Sequence, residues 1–570
     1  MDATSERISV KLNGRALECA PNTTVKDLMP GPESPDGVPY LGALVNNDAV
    51  SLSYPLEVDS EVTLLTLADS HGFRIYRHSV CFLLAKAVKD LFPQAHFSVE
   101  HSLGTGFYCS FDENGLGQRP PEASGKLIHR GINPEQLRRV ERRMLDLVAR
   151  KIPIERHKIA FTEAVKQFEQ AGQWDKFNLL RFRNPPKIVI YRCEGFFDLA
   201  HGPLAEDTGA LRPFKLIAHP PGFVLQFAER ENPTSLPAFE PQPHLFQIFK
   251  EHKEWGRILG VNTVGRLNEI IANREISDFI KIAEAFHEKK IAQIADGISE
   301  RRRQIKWVLI AGPSSSGKTT FAKRLAVQLR VNGLRPVTIS VDNYFVDRER
   351  TPKDERGEYD FENIETLDLR LLNEHLSRLD AGEEVEMPHF NFEKGKREFR
   401  GHQLRLEEDQ LALVEGIHAL NPRLTQAVPT EHKFRAYVSA LTQLNLDFNN
   451  RVSTTDNRLV RRLVRDSMFR GNNALTTLSL WPNVRRGEKA WIFPYQQEAD
   501  VAFNSALDYE LAVLKPTVEP LLSEVKPSHP QYAEARRMQD FLASFLAVSD
   551  HFVPPTSILR EFIGRSSFRY

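Results

Sequence analysis

The stretch WVLIAGPSSSGKTTFAKRLA, residues 307–326, decides the fold of this chain. It opens with five apolar residues that predict a buried β-strand, and it closes with a helical pattern. Between the two lies a loop framed by Gly312 and Gly317, where the absence of side chains permits a ligand to approach the backbone closely. A strand, a GxxxxGK[ST] loop and a helix in this order predict a phosphate-binding loop in a parallel α/β sheet.

The loop and the first helical turn supply the groups that a triphosphate needs. Successive N–H groups and a helix N-terminus point at the phosphates. Lys318 supplies a cation for the β- and γ-phosphates and is a candidate catalytic residue, and the Thr319 hydroxyl can ligate Mg²⁺. The predicted ATP-binding residues are Gly312, Pro313, Ser314, Ser315, Ser316, Gly317, Lys318, Thr319 and Thr320.

Acidic residues follow the next two predicted strands. PVTISVDNYFVD carries Asp342 and Tyr344 after its apolar part, and LALVEGIHAL carries Glu415. A carboxylate at Asp342 can take the proton from an attacking hydroxyl, whereas the alternative is a turn or helix-cap residue. Glu415 suits a Mg²⁺ site. The predicted metal ligands are therefore Thr319, Asp342 and Glu415.

A row of arginines follows in TTDNRLVRRLVRDSMFRGNN. Arg458, Arg462 and Arg465 share one helical face, with Arg461 beside them and Arg470 at the helix end. Guanidinium groups can close over phosphates and neutralise the charge that develops during transfer. We therefore expect an arginine lid with Arg462 and Arg465 as catalytic residues. The alternative is a solvated basic face.

These four segments resemble, in this order, the uridine kinase/phosphoribulokinase family over about residues 305 to 515. The resemblance implies ATP as phosphoryl donor and Mg²⁺ as cofactor. It implies that Asp342 is the catalytic base, that Tyr344 is an aromatic residue of the substrate site, and that Glu415 is the acidic residue of the third strand.

The segments that would recognise uridine depart from that family. Glu362 stands where a ribose-binding Asp is usual, and Asp360 stands where an Asn is usual. In MPHFNFEKGKR, Phe390 replaces a Tyr, Asn391 an Asp and Gly395 a base-contacting His. The acceptor therefore need not be uridine. The predicted substrate-binding residues are Tyr344, Asp360, Glu362, Phe390, Arg458 and Arg470.

The front of the chain resembles parts of threonyl-tRNA synthetases. Residues 1–68 alternate like strands, with a turn signal at Asn13-Gly14, and resemble the ubiquitin-like β-grasp TGS domain. Residues 69–230 resemble the α+β editing domain, but of its four metal-type ligand positions only His78 keeps a ligand side chain. The editing chemistry is therefore expected to be lost, and His78 to be a packed histidine.

The remaining segments complete a multidomain α/β prediction. Residues 231–300 are expected to form a Pro-rich linker and helices, and residues 301–570 the P-loop kinase domain. Near the end, Gln496, Asp500 and Asn504 have helical spacing, and either reach the substrate pocket or form a solvated helix face.

Composition favours a cytoplasmic protein without membrane spans. The 75 basic and 75 acidic residues cancel, and four scattered cysteines fit a reducing compartment. The expected function is a nucleoside kinase of the uridine kinase type, with a nucleoside or sugar as partner. The alternatives are an ATP-binding regulator that contacts RNA through its front domains, and a sugar-phosphate kinase of the phosphoribulokinase type. The sequence indicates no oligomeric state.

Overall fold

The computed structural model describes residues 7–113, 131–354 and 357–570. It is a multidomain α/β protein with a parallel sheet in its C-terminal half, as predicted. Within these ranges every helix is too short or too polar to cross a bilayer. The predicted domain boundaries at residues 68, 230 and 300 stay predictions.

The first unit is a five-stranded mixed sheet in the order β2-β1-β7-β4-β5, beside the small pair β3-β6. Asn13 and Gly14 both adopt positive φ in the turn between β1 and β2, as the Asn-Gly signal predicts. The strands are β1 Ile8–Leu12, β2 Arg15–Cys19, β3 Thr23–Thr24, β4 Tyr40–Val45, β5 Asp48–Val50, β6 Pro55–Leu56 and β7 Ser60–Thr66.

The second unit packs helices against an antiparallel sheet of order β13-β14-β9-β8 and a second sheet, β10-β11-β12. Asn133 caps the second helix by accepting from the N–H groups of Glu135 and Gln136. Its elements are α1 Ser70–Leu91, β8 His96–Leu103, β9 Gly106–Asp112, α2 Pro134–Ala149, β10 Glu155–Ala160, α3 Phe161–Gln170, α4 Trp174–Leu180, β11 Lys187–Cys193, β12 Phe196–Leu199, β13 Phe214–His219 and β14 Gly222–Phe227.

Three helices connect this unit to the C-terminal half. They are α5 Pro243–Leu259, α6 Val264–Ala272 and α7 Ile276–Glu300. The longest, α7, buries Ile280 and Ile294 in a cluster that also holds Phe168 and Leu180 from the second unit and Phe321 from the C-terminal half. One hydrophobic core therefore extends across all three regions.

The C-terminal half is built on a five-stranded, all-parallel sheet of order β16-β19-β15-β20-β23. Because every connection returns to the same end, the carboxyl ends of the strands gather at one edge. Its elements are β15 Trp307–Ala311, α8 Lys318–Val331, β16 Arg335–Ser340, α9 Leu369–Asp380, β17 Val385–Asn391, β18 Lys396–Leu404, β19 Gln410–Glu415, β20 Lys433–Ser439, β21 Asn445–Asp447, β22 Asn450–Arg451, α10 Thr454–Phe469, α11 Ala474–Trp491, β23 Val501–Asn504, α12 Glu510–Ser523, α13 Tyr532–Leu542 and α14 Arg560–Ile563.

Candidate active site

The phosphate-binding loop lies between β15 and α8, at the carboxyl edge of the parallel sheet. Gly317 has φ +83° and Ser315 φ +59°, so the backbone turns through left-handed conformations before α8 begins at Lys318. A Cβ on Gly312 would stand 2.1 Å from the Val438 carbonyl oxygen, so no larger residue fits there. The loop therefore presents the N-terminus of α8 towards the strand ends, which is a geometry that binds phosphate.

The three predicted metal-type ligands lie together at this edge. Glu415 ends β19 beside Ser340 of β16, and Asp342 follows two residues later. The Thr319 Oγ1 donates to Glu415 Oε1 over 3.3 Å. Burial, followed by the charge of Asp342, raises the pKa of Glu415 to about 7. A buried acid whose pKa is raised further by a neighbouring carboxylate marks a site where a cation is favourable.

The donor set fits Mg²⁺ better than a transition metal. Among the described residues no group of three or more His, Cys, Asp or Glu side chains could hold a metal ion. Mg²⁺ needs few protein ligands, because it keeps waters and takes oxygens from bound phosphates. The Thr319 hydroxyl and the Glu415 and Asp342 carboxylates are the oxygen donors that could hold it.

The arginines of α10 lie against the phosphate-binding loop. Arg458 Nε donates to the Ser314 carbonyl oxygen over 2.9 Å, and Arg462 Nη1 donates to the Ser314 hydroxyl over 3.0 Å. Arg461 donates to the Ser315 carbonyl oxygen over 3.3 Å. These three side chains therefore hold the loop in place.

Several guanidinium groups of the predicted arginine lid are already paired with protein groups. Arg458 is buried and paired with Glu488, so its charge is already neutralised and its predicted contact with substrate is replaced by a contact with the loop. Arg462 and Arg465 share Asp466, at 3.1 and 3.0 Å. The solvated-face alternative is wrong, because Arg458, Arg461 and Arg462 are buried.

Two arginines at the end of α10, Arg465 and Arg470, lower the pKa of Asp342. Burial raises the pKa of the Asp342 carboxyl, and Lys318, Arg470 and Arg465 oppose that rise. Arg470 lies 3.8 Å from Asp466, and about half of its side chain is exposed. Lys318, Arg465 and Arg470 are therefore the cations that surround the candidate base.

Two carboxylates at the loop were missed by sequence reasoning. Glu488 on α11 accepts from the Ser314 N–H over 3.1 Å. Glu561 on α14 accepts from the Thr320 N–H over 3.0 Å and from its hydroxyl over 2.8 Å. Both are far from the loop in sequence and belong to no local pattern, so no signal in the chain identified them.

Glu362 is the predicted substrate residue that the structure places best. Its Oε2 is buried and has no hydrogen-bond partner among the described residues. Burial, followed by Glu488, raises the pKa of Glu362 to about 7, and Arg462 and Lys318 lie near enough to oppose this. Asp360, in contrast, accepts from Asn363 Nδ2 over 3.3 Å and closes a local turn. Glu362 therefore offers a carboxylate oxygen with spare capacity.

The two predicted aromatic residues differ in placement. Tyr344 is fully buried, and its hydroxyl lies 3.1 Å from His375 Nδ1, so it packs in the core and not on the predicted substrate surface. Phe390 packs edge-to-face against Phe345 and Phe392, with ring centroids 5.5 and 5.0 Å apart. The Phe390 N–H donates to Asn343, the neighbour of Asp342. This aromatic group therefore lies beside the candidate base.

Comparison with known proteins divides the chain into two parts. Residues 308–512 match the model of the Phosphoribulokinase / Uridine kinase family. A stretch of 177 residues, 31% of this chain and 25% of that protein, is 35% identical to a threonine–tRNA ligase from Azoarcus sp. (strain BH72). A stretch of 213 residues is 30% identical to the threonine–tRNA ligase of Desulforamulus reducens and covers 37% of this chain and 31% of that one. The chain thus spans between a quarter and a third of the length of these relatives.

A solved structure described as a possible uridine kinase from Bacillus stearothermophilus is 17% identical to this chain. The match covers 35% of this chain and 89% of that one, with a TM-score of 0.25, which is too weak to indicate a substrate. The chain therefore combines a segment that matches the Phosphoribulokinase / Uridine kinase family model, at residues 308–512, with a stretch similar to threonine–tRNA ligases.

Proposed function

We propose that this protein transfers the γ-phosphoryl group of Mg-ATP to a hydroxyl of a nucleoside or similar sugar. The observation that carries the proposal is the convergence of Lys318, Thr319, Asp342 and Glu415 at one edge of the parallel sheet. These groups supply a phosphate cation, a metal site and a base, which together are what phosphoryl transfer requires.

Each side chain has a separate task in this reaction. Lys318 and the N-terminus of α8 bind the phosphates. Mg²⁺, held by Thr319 and Glu415, would neutralise phosphate charge. Asp342 accepts the proton of the acceptor hydroxyl. The oxygen of that hydroxyl forms a bond to the γ-phosphorus, and the bond between the γ-phosphorus and the ADP oxygen breaks. Arg465 and Arg470 face the same site and stabilise the charge that develops.

Two features support a nucleoside or sugar as acceptor. The unpartnered Oε2 of Glu362 can accept hydrogen bonds from a vicinal diol. The group of Phe345, Phe390 and Phe392 provides an aromatic surface beside Asp342, and Phe392 is 57% exposed. Aromatic side chains stack on nucleobases and on sugar rings, so this surface selects by shape more than by hydrogen bonding.

A screen of ATP consumption tests the proposal. Purified protein is incubated with Mg-ATP and single candidates from the nucleosides, free sugars and sugar phosphates, and ADP is quantified. We expect turnover with at least one nucleoside or sugar, and none from a Lys318→Ala variant prepared identically. The absence of acceptor-dependent ADP with every candidate would contradict the proposal.

The similarity to threonine–tRNA ligases favours a second candidate, an ATP-binding regulator that contacts RNA. On this view ATP binding is a switch and no acceptor is phosphorylated. Tight binding of tRNA that weakens steeply with salt, together with a negative screen, would support this candidate over the kinase.

Removal of the Glu561 carboxylate is expected to tighten nucleotide binding. Glu561 occupies the Thr320 N–H at the start of α8, where a nucleotide phosphate would compete with it. We expect Glu561→Ala to bind ADP about threefold to tenfold more tightly in calorimetry. The control is Glu519→Ala on α12, whose side chain is 40% exposed. Unchanged or weaker ADP binding in Glu561→Ala would show that the Glu561 carboxylate and the nucleotide phosphate do not compete for the Thr320 N–H.

A further inference from the structure

A cavity of about 600 Å³ lies between the front units and the C-terminal half. Its walls come from α1, from the segment between α4 and β11, and from α10, α11 and α13. Of the described residues that line it, nine are Arg or Lys and three are Asp. None of the loop residues 312–320 is among them, so this cavity is separate from the candidate active site.

Some of these cations are already satisfied by protein carboxylates. Arg537 donates to both oxygens of Asp456, over 2.8 and 2.7 Å, and to Glu534 over 2.6 Å. Arg74 lies 3.0 Å from the other oxygen of Glu534. This network explains the wall formed by α13 without any ligand.

Four other arginines have no such partner. Within the described part of the chain, Arg77, Arg183, Arg451 and Arg485 form no ion pair with a carboxylate, and Arg451 Nε donates to the Glu100 carbonyl oxygen over 3.0 Å. They come from four different elements: α1, the loop before β11, β22 and α11. Positive charge is therefore directed into one space from several sides.

Burial without a carboxylate partner disfavours the charged forms of two of these arginines, Arg77 and Arg451. Arg77 Nε is buried without a hydrogen-bond partner in the described residues, and its guanidinium lies 4.5 Å from the Phe73 ring centre. Burial, then the charges of Arg451 and Arg74, lower the pKa of Arg77 to about 9. Burial likewise lowers the pKa of Arg451 to about 10. Unpaired buried charge of one sign is unfavourable unless an anion neutralises it.

We propose that this cavity binds a small polyanionic molecule of nucleotide size that carries phosphoryl groups. Guanidinium groups bind phosphate oxygens in pairs, and four unpaired guanidiniums match a di- or triphosphate. A volume of about 600 Å³ suits a molecule of that size. The rings of Phe107 and Tyr191 and the side chain of Val189 also line the cavity and can cover its uncharged part.

Calorimetry with inorganic tripolyphosphate tests the site in the full chain. Every protein in the series carries Lys318→Ala, so that the phosphate-binding loop contributes equally to tripolyphosphate binding in all of them. Into this background we introduce Arg77→Met, which keeps the apolar stem, and Arg485→Met at the rim, where no core packing is disturbed. The matched control is Arg138→Met, an exposed arginine on α2 outside the cavity.

We expect tripolyphosphate to bind about tenfold more weakly to either cavity variant, and equally well to the control. We also expect Arg77→Met to melt no lower than its parent, because the change removes an unpaired buried charge. Affinity that is unchanged in both cavity variants would overturn the proposal. A second outcome would also overturn the proposal: bulk tRNA binds and loses affinity with Arg485→Met, while tripolyphosphate, ATP and GTP show no cavity-dependent binding. The ligand would then be RNA.

Discussion

We expect Asp342→Asn to lower phosphoryl-transfer turnover by about 10²- to 10⁴-fold, which is the usual contribution of a general base. The amide has nearly the same shape as the carboxylate but cannot accept the proton of the acceptor hydroxyl. Binding of ATP is expected to stay near that of the natural protein, since the phosphates are held mainly by Lys318 and α8. Acceptor-dependent ADP formation measures the first quantity, and calorimetry measures the second.

The pH dependence gives this prediction a second test. Burial raises the pKa of Asp342, and a base acts only when deprotonated. Turnover of the natural protein should therefore rise with pH through the titration of Asp342, and Asp342→Asn should lose that part of the rise. Asp409→Asn, on an exposed side chain far from the loop, is the control and should behave like the natural protein. Near-normal turnover in Asp342→Asn would exclude Asp342 as the base.

The second large effect is on stability. Arg461 is fully buried, and its Nε donates to Glu510 over 3.1 Å while another nitrogen donates to the Ser505 carbonyl oxygen over 2.8 Å. Arg461→Met leaves the Glu510 carboxylate buried without its cation. We expect the free energy of unfolding to fall by about 3–5 kcal/mol, as is usual when one partner of a buried pair is removed. Urea denaturation followed by circular dichroism measures this loss.

The loss of stability in Arg461→Met should depend on pH and on the presence of the Glu510 carboxylate. Burial already raises the pKa of Glu510, and without Arg461 that pKa rises further. The folded state then needs a proton that the unfolded state does not hold at neutral pH, so Arg461→Met should be less stable at pH 8 than at pH 6.

The double variant Arg461→Met/Glu510→Met should recover part of the loss. Arg470→Met, at the exposed end of α10, should change stability by less than about 0.5 kcal/mol. Equal losses in Arg461→Met and Arg470→Met would contradict this account.

The sequence predicted the parts of the site that local pattern controls. The phosphate-binding loop follows from glycine conformations and from a strand and helix that are adjacent in the chain. Asp342 and Glu415 meet because parallel strands end at one edge, so their position after each strand sufficed. The Asn13-Gly14 turn is equally local.

Contacts between distant segments could not be predicted in this way. The tight turn after β16 directs Tyr344 into the core towards His375, although it lies only two residues from Asp342. The helical spacing of Gln496, Asp500 and Asn504 was misleading, because the chain forms a 3₁₀ turn and then β23 there. Glu488 and Glu561 reach the loop only through the packing of α11 and α14. Periodicity carries no information about such tertiary contacts.

The continuous core has a consequence for how the protein can be divided. The segment that matches the kinase family begins at residue 308, yet Phe321 and Val308 share their hydrophobic cluster with Ile280 and Ile294 of α7 and with Phe168 of α3. A fragment cut at residue 301 would leave the apolar side of α8 facing water, where it would favour aggregation. The region that recurs in other proteins is thus not a detachable module here. Any shortened version that keeps its fold needs the packing surfaces supplied by residues that precede the family match.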